Sequence, residues 1–321
     1  MKQLLALFLL ISFSVQSQIV VGKYKLFELS PSKNDKELID ILEQKKTLFV
    51  LPSTFSIKDY EEVINSVWNI SAVEVVWNEN FDKMKQEEIE AKYPLNIYSY
   101  FRLTSTKVRR TSSSGTIVDY LFNKMDLNVY KFKKKNNKGK DIFEDEPIAT
   151  IFFTPNIQQR KDNVSGRKIN SSEFLNFDLG YLKDYLKIVN NKLKVNGYVN
   201  CFDDFQDKKN LKNLKLKTLY IPESTGLKYN PALRTEGKKR DNDELLKDYK
   251  YKYEVVTDEQ LNEKILKGEE IFYLQYSQIN SYKLISVIDN KNSEISYNLK
   301  TSMSYNINAK DFKELSKKID E

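Results

Sequence analysis

Lys45-Lys46-Thr47-Leu48-Phe49-Val50-Leu51-Pro52 and Leu216-Lys217-Thr218-Leu219-Tyr220-Ile221-Pro222 spell nearly the same message. Each is a β-prone apolar run behind a Lys-Thr pair. Each stops at a proline, which cannot donate to a central strand ladder. A charged helical pattern follows both, and then a short apolar segment containing Glu-Val-Val, at residues 74–76 and 254–256. Recurrence of several elements in one order marks a supersecondary unit used twice.

Working outward, the match extends in both directions. Upstream, a strand over 20–29 carrying Gly22 and Phe27 answers a segment with Gly197 and Phe202 at the same separation. Helical patterns over 35–44 and 208–214 come next. After the shared strand, residues 58–68 carry apolar side chains at Tyr60, Val63, Ile64 and Val67, the spacing of an amphipathic helix, and 242–249 is its counterpart. Asn78 and Asp258 align as candidate helix caps, and Thr257 with Gln260 has the form of a capping box. The helices they open run to about residues 91 and 267. Both copies then change to strands, at 95–103, 116–132 and 147–154 in the first and at 271–278, 282–289 and 294–301 in the second. Closing helices are expected over 172–193 and 309–319. Parallel crossovers followed by hairpin strands give an α/β chain of two tandem, repeat-related mixed-sheet domains. The expected division is a signal peptide over 1–17, a first domain over 18–194 and a second over 195–321.

The leader has Lys2, an apolar run from Leu4 to Phe13 and small residues around Ser14-Val15-Gln16-Ser17. That is the pattern of a secretory signal cleaved after Ser17, leaving Gln18 first. The run is too short to span a bilayer, which takes roughly 20 apolar residues. A periplasmic or extracellular protein without a transmembrane segment is expected. The formal charge of +7 over 321 residues suits weak contact with polyanions and does not point to specific nucleic-acid binding. There is no His and one Cys. This excludes an intrachain disulfide, His-ligated metals and the usual Ser or Cys triads. Cys201 aligns with Leu26, an apolar strand position, and reads as a small buried hydrophobe.

With a shared scaffold, function is sought where the copies differ. The Ser/Thr-rich stretch 104–116, with Lys107, Arg109 and Arg110, reads as a connecting loop. Residues 131–146 read as a solvated hairpin tip whose lysines guard an edge. The largest addition is 223–241, leaving the C-terminal end of a parallel strand, where open α/β sheets bind ligands. Tyr229, Arg234, Lys238, Lys239 and Arg240 are its candidate contacts for a ligand or partner. No catalytic residue, metal ligand or cofactor is assigned.

The Lys-Thr-Leu-Phe-Val-Leu-Pro and Lys-Thr-Leu-Tyr-Ile-Pro strands, with the helix and Glu-Val-Val segment behind them, resemble an uncharacterised family of secreted Gram-negative bacterial proteins with a duplicated α/β unit. That resemblance implies export and a fold, and it carries no activity. The reading that follows is an exported, non-catalytic protein binding a protein or glycan, or an envelope component. The alternative is a His-free, carboxylate-based hydrolase acting on glycans, with its acids gathered between the domains.

Overall fold

A computed structural model describes residues 18–24, 32–111, 115, 117–156, 174–230 and 235–321. The expected leader and Arg234 lie outside the described residues. In chain order the first half has β1 (Ile19–Val21), α1 (Lys36–Gln44), β2 (Lys46–Leu51), α2 (Ile57–Val67) and β3 (Ala72–Trp77). Then come α3 (Asn78–Phe81), α4 (Gln86–Lys92), β4 (Tyr98–Thr111), β5 (Ile117–Lys135), β6 (Asp141–Phe152) and α5 (Leu179–Lys194). The second half opens with β7 (Val199–Asn200), β8 (Phe205–Gln206), α6 (Lys208–Leu211) and β9 (Leu219–Pro222). It continues with β10 (Lys228–Asn230), β11 (Thr235–Gly237), α7 (Asn242–Leu246), β12 (Tyr253–Val256) and α8 (Asp258–Leu266), and ends with β13 (Phe272–Ile279), β14 (Tyr282–Asp289), β15 (Glu294–Ser302) and α9 (Ala309–Asp320).

The chain forms two mixed sheets. One runs β3-β2-β4-β5-β6-β1-β7 and the other β12-β9-β13-β14-β15-β8. β2 is parallel to both β3 and β4, and β9 is parallel to both β12 and β13. The two matching stretches of sequence therefore hold the same place in their sheets. β2 is buried from Thr47 to Leu51, which explains its unbroken apolar run: helices cover both faces of a parallel strand.

Several elements differ from the sequence reading. The segment expected as one strand around Cys201 splits. Val199 and Asn200 pair with β1 in the first sheet, while β8 pairs with β15 in the second. Cys201 is fully buried as expected, but it sits in the turn between these strands. The stretch 104–116 is largely paired strand, since β4 and β5 stay in register from Tyr100–Asn128 out to Thr111–Ile117. Asn78 and Asp258 are first helical residues. The caps are Trp77 and Thr257, and Thr257 forms the expected box with Gln260.

α5 is buried on more than one side. Tyr181, Tyr185, Leu186 and Val189 are wholly or almost wholly covered, and a single apolar cluster joins them to residues of both halves, including Leu127, Ile151, Leu261 and Tyr273. Side chains of this kind contribute about 1.5–3 kcal/mol each when fully buried. Asn190 accepts from the backbone N–H groups of Asn69 and Ile70 at 3.0 and 3.1 Å. On the other side Gly180 N–H donates to Asn262 Oδ1 at 2.7 Å. The meeting of the halves is thus a packed seam around α5.

Candidate functional site

The addition 223–241 does leave the C-terminal end of β9, and its described residues are 223–230 and 235–241. A 3-10 turn over Glu223–Gly226 leads into the β10–β11 hairpin. Lys239 pairs with Glu223 at 3.0 Å, and Arg240 N–H donates to Gly226 C=O at 3.1 Å. Tyr229 exchanges hydrogen bonds with Asn306: its N–H donates to Oδ1 at 2.7 Å and its carbonyl accepts from Nδ2 at 2.9 Å. Its ring lies 6.2 Å from Tyr305. Lys238 and Lys239 are exposed.

Arg240 is half-buried and lines an open hollow of about 630 Å³ with Lys228, Lys247, Lys310 and Lys313. Glu244 and Asp248 also reach it. Burial lowers the pKa of the Arg240 guanidinium from its usual value, with Asp311 and Glu244 opposing. Of the residues singled out by sequence, then, Arg240 joins a cationic surface, while Tyr229, Lys238 and Lys239 are not among the residues lining it.

A second concavity was not visible in the sequence. Successive side chains of a strand alternate faces, so one face of β4 presents Tyr100, Arg102 and Thr104. The same face of β5 presents Asp126, Asn128 and Tyr130, because Tyr100 pairs with Asn128 and Arg102 with Asp126. Asp145 on β6 stands opposite Tyr130. With α3 and α4 as a wall, contributing Phe81, Gln86, Ile89 and Glu90, these residues enclose about 390 Å³. The opposite face, with Phe101, Leu103, Met125, Leu127 and Val129, is core.

The geometry of this cavity is held from behind. Lys45, the first residue of the quoted stretch, donates to the carbonyls of Leu95 and Tyr130 at 2.6 and 2.5 Å. It thereby ties the cavity wall to its floor. Tyr100 and Tyr130 meet edge to face at 5.3 Å. The Tyr100 hydroxyl donates to the Tyr93 carbonyl at 2.6 Å, and burial, aided by the electrostatics of Tyr93, pushes its pKa up to about 12. Arg102 lies over the Phe81 ring at 5.0 Å and pairs with Asp82. Its Nε is buried with no hydrogen-bond partner among the described residues.

Two carboxylates differ in their surroundings. Asp126 pairs with Lys124 and accepts from Thr150 Oγ1 at 2.8 Å. Asp145 lies at the exposed rim. Desolvation by the cavity walls, then the charges of Asp126 and Glu146, raise its pKa, and Lys124 opposes them. Among the described residues no group of three or more Asp, Glu or Cys side chains is placed to hold a metal ion, and no helix is long and apolar enough to cross a membrane.

Compared with protein-family models, with curated proteins and with solved structures, the chain matches none. The functional reading therefore rests on the site. The signal that points to the cavity is polar and aromatic residues at alternate positions, 100-102-104 and 126-128-130, opposite an apolar face. Reading 104–116 as a loop removes the register that brings those two rows together.

Proposed function

We propose that this is an exported, non-catalytic binding protein whose β4–β5–β6 cavity holds one saccharide unit of a glycan. One observation carries the reading: aromatic rings, an unpaired Arg102 Nε–H donor and the Asp145 acceptor converge in one half-enclosed space. Concave sites with apolar walls and a few aimed polar groups are where small ligands bind. A sugar presents hydroxyls that both donate and accept, which matches a lining of carboxylates, amides and a guanidinium. A free anion faces Glu90, Asp126 and Asp145 and is disfavoured there.

Export rests on the leader sequence. The cationic hollow at Arg240 supports an accessory contact with an anionic group of the partner, and such a contact weakens as salt rises. Calorimetric titration of the mature protein against a panel of envelope and extracellular oligosaccharides tests the main reading. Tyr130→Ala removes a central aromatic wall, and a loss of about 2 kcal/mol, or roughly 30-fold in affinity, is expected. Binding unchanged by Tyr130→Ala, or no binding across the panel, would refute it.

The alternative, a His-free glycan hydrolase, has one specific support. Desolvation, with the charges of Asp126 and Glu146, pushes Asp145 towards its protonated form, the state a general acid needs. It requires time-dependent release of reducing ends, abolished in Asp145→Asn.

A further inference from the structure

Gln18 lies wholly buried at the seam between the halves, its carbonyl accepting from Phe152 N–H at 2.8 Å. Its side-chain Oε1 accepts from Asn176 Nδ2, from Gln275 Nε2 at 3.1 Å and from Ser277 Oγ. The orientation of this amide is dictated by its neighbours. Thr154 N–H donates to Asn176 Oδ1 at 3.0 Å, so Asn176 can offer Gln18 only its NH2 group, and Gln18 must answer with oxygen. The consequence is a buried Gln18 Nε2 with no hydrogen-bond partner among the described residues. Such a donor carries the full cost of its desolvation.

Cleavage after Ser17 adds a second cost at the same residue. The new α-ammonium belongs to a wholly buried residue, and the groups bonded to its side chain are two amides and one hydroxyl, with no carboxylate among them. An unpaired charge in such a setting is strongly disfavoured.

We infer that the exported chain begins with pyroglutamate, formed from Gln18. The inference rests on the export reading. The neutral α-amine attacks its own side-chain carbon Cδ, and the N–Cδ bond forms. The Cδ–Nε2 bond breaks, and Nε2 departs as ammonia, taking up the proton released by the amine. No oxidant, reductant or second substrate is needed. The lactam keeps a carbonyl acceptor and a single N–H on the former α-nitrogen, discards the unpartnered Nε2 and removes the terminal charge. One ring closure thus relieves both costs.

The test is the intact mass of the protein isolated from its own cells, measured before digestion, with the N-terminal peptide then sequenced by fragmentation. The expected result is a chain starting at residue 18 and lighter than the unmodified form by one ammonia. A chain starting at Gln18 with a free amine overturns the cyclisation and leaves export standing. Any other exported start also overturns it. A chain retaining Met1 overturns both readings.

Discussion

Asp184 sits inside the molecule with Tyr273 OH donating to one carboxylate oxygen at 2.8 Å and Ser293 Oγ to the other at 2.7 Å. Burial outweighs these bonds and raises its pKa from the ordinary 3.8 to about 6. Between those values the folded chain holds a proton that the unfolded chain has released, so stability falls as pH rises through this window. Asp178, raised to about 6 by burial and by Asp258 and Glu259, adds to the same fall. Asp184→Asn cannot titrate, and its melting temperature is expected to drop less steeply than wild type between about pH 4 and about pH 6. Parallel melting curves across the window would show the assignment to be wrong. Lys283 is the opposite kind of buried charge. Its side chain is 1% exposed and meets Asp311 at 2.7 Å, with a further bond to the Asn306 carbonyl at 3.1 Å. Lys283→Met strands Asp311, which also caps α9. Urea unfolding is expected to register a loss of about 3–5 kcal/mol, much of it recovered when Asp311 is replaced by Leu in the same chain.

Among the elements, the contact of α5 with α8 depends on a missing side chain. A Cβ on Gly180 would lie 2.8 Å from the Asn262 carbonyl oxygen, too close for any backbone to tolerate without moving. Alanine gains about 1 kcal/mol of helix propensity, but overpacking typically costs about 1–3 kcal/mol. Gly180→Ala is therefore expected to lower the midpoint of unfolding, and a higher midpoint would contradict this packing. The elements also show what sequence can convey. The parallel strands β2 and β9 were legible because burial on both faces demands unbroken apolar runs ending at proline. The hairpin tip after β5 was legible through its charges, and Lys133–Glu144 and Lys135–Asp141 do pair across it at 3.5 and 3.8 Å. The outer half of the β4–β5 hairpin was not. Thr104, Ser105, Thr106 and Lys107 have loop composition, and they become strand only because residues 121–124 lie opposite them. The cavity was lost with that register, since it is a property of two strands together. Arg240 was legible from its place after a parallel strand, whereas its lysine neighbours come from β10, from the residue capping α7 and from α9, which only folding brings together.

At the scale of the whole molecule, the two halves meet in a packed seam, where Asp178 of the first half also feels the charges of Asp258 and Glu259 of the second. The seam holds α5, a continuous apolar cluster and the Gln18–Asn176–Ser277 network. The half-enclosed carboxylate cavity lies within the first half, on a sheet face that the second half does not cover with any of the lining residues. In the second half the corresponding strands β13 and β14 are buried almost throughout, and β15 is buried over Ile295–Asn298. The halves share a strand order and diverge in what their faces enclose. The most direct measurement is backbone and side-chain NMR of the mature protein titrated with the oligosaccharide that binds best. Shift changes are predicted to concentrate at Tyr100, Arg102, Asp126, Tyr130 and Asp145 and to vanish in Tyr130→Ala. Changes centred on Tyr229, Lys238 and Arg240 instead, with the cavity residues silent, would contradict the account.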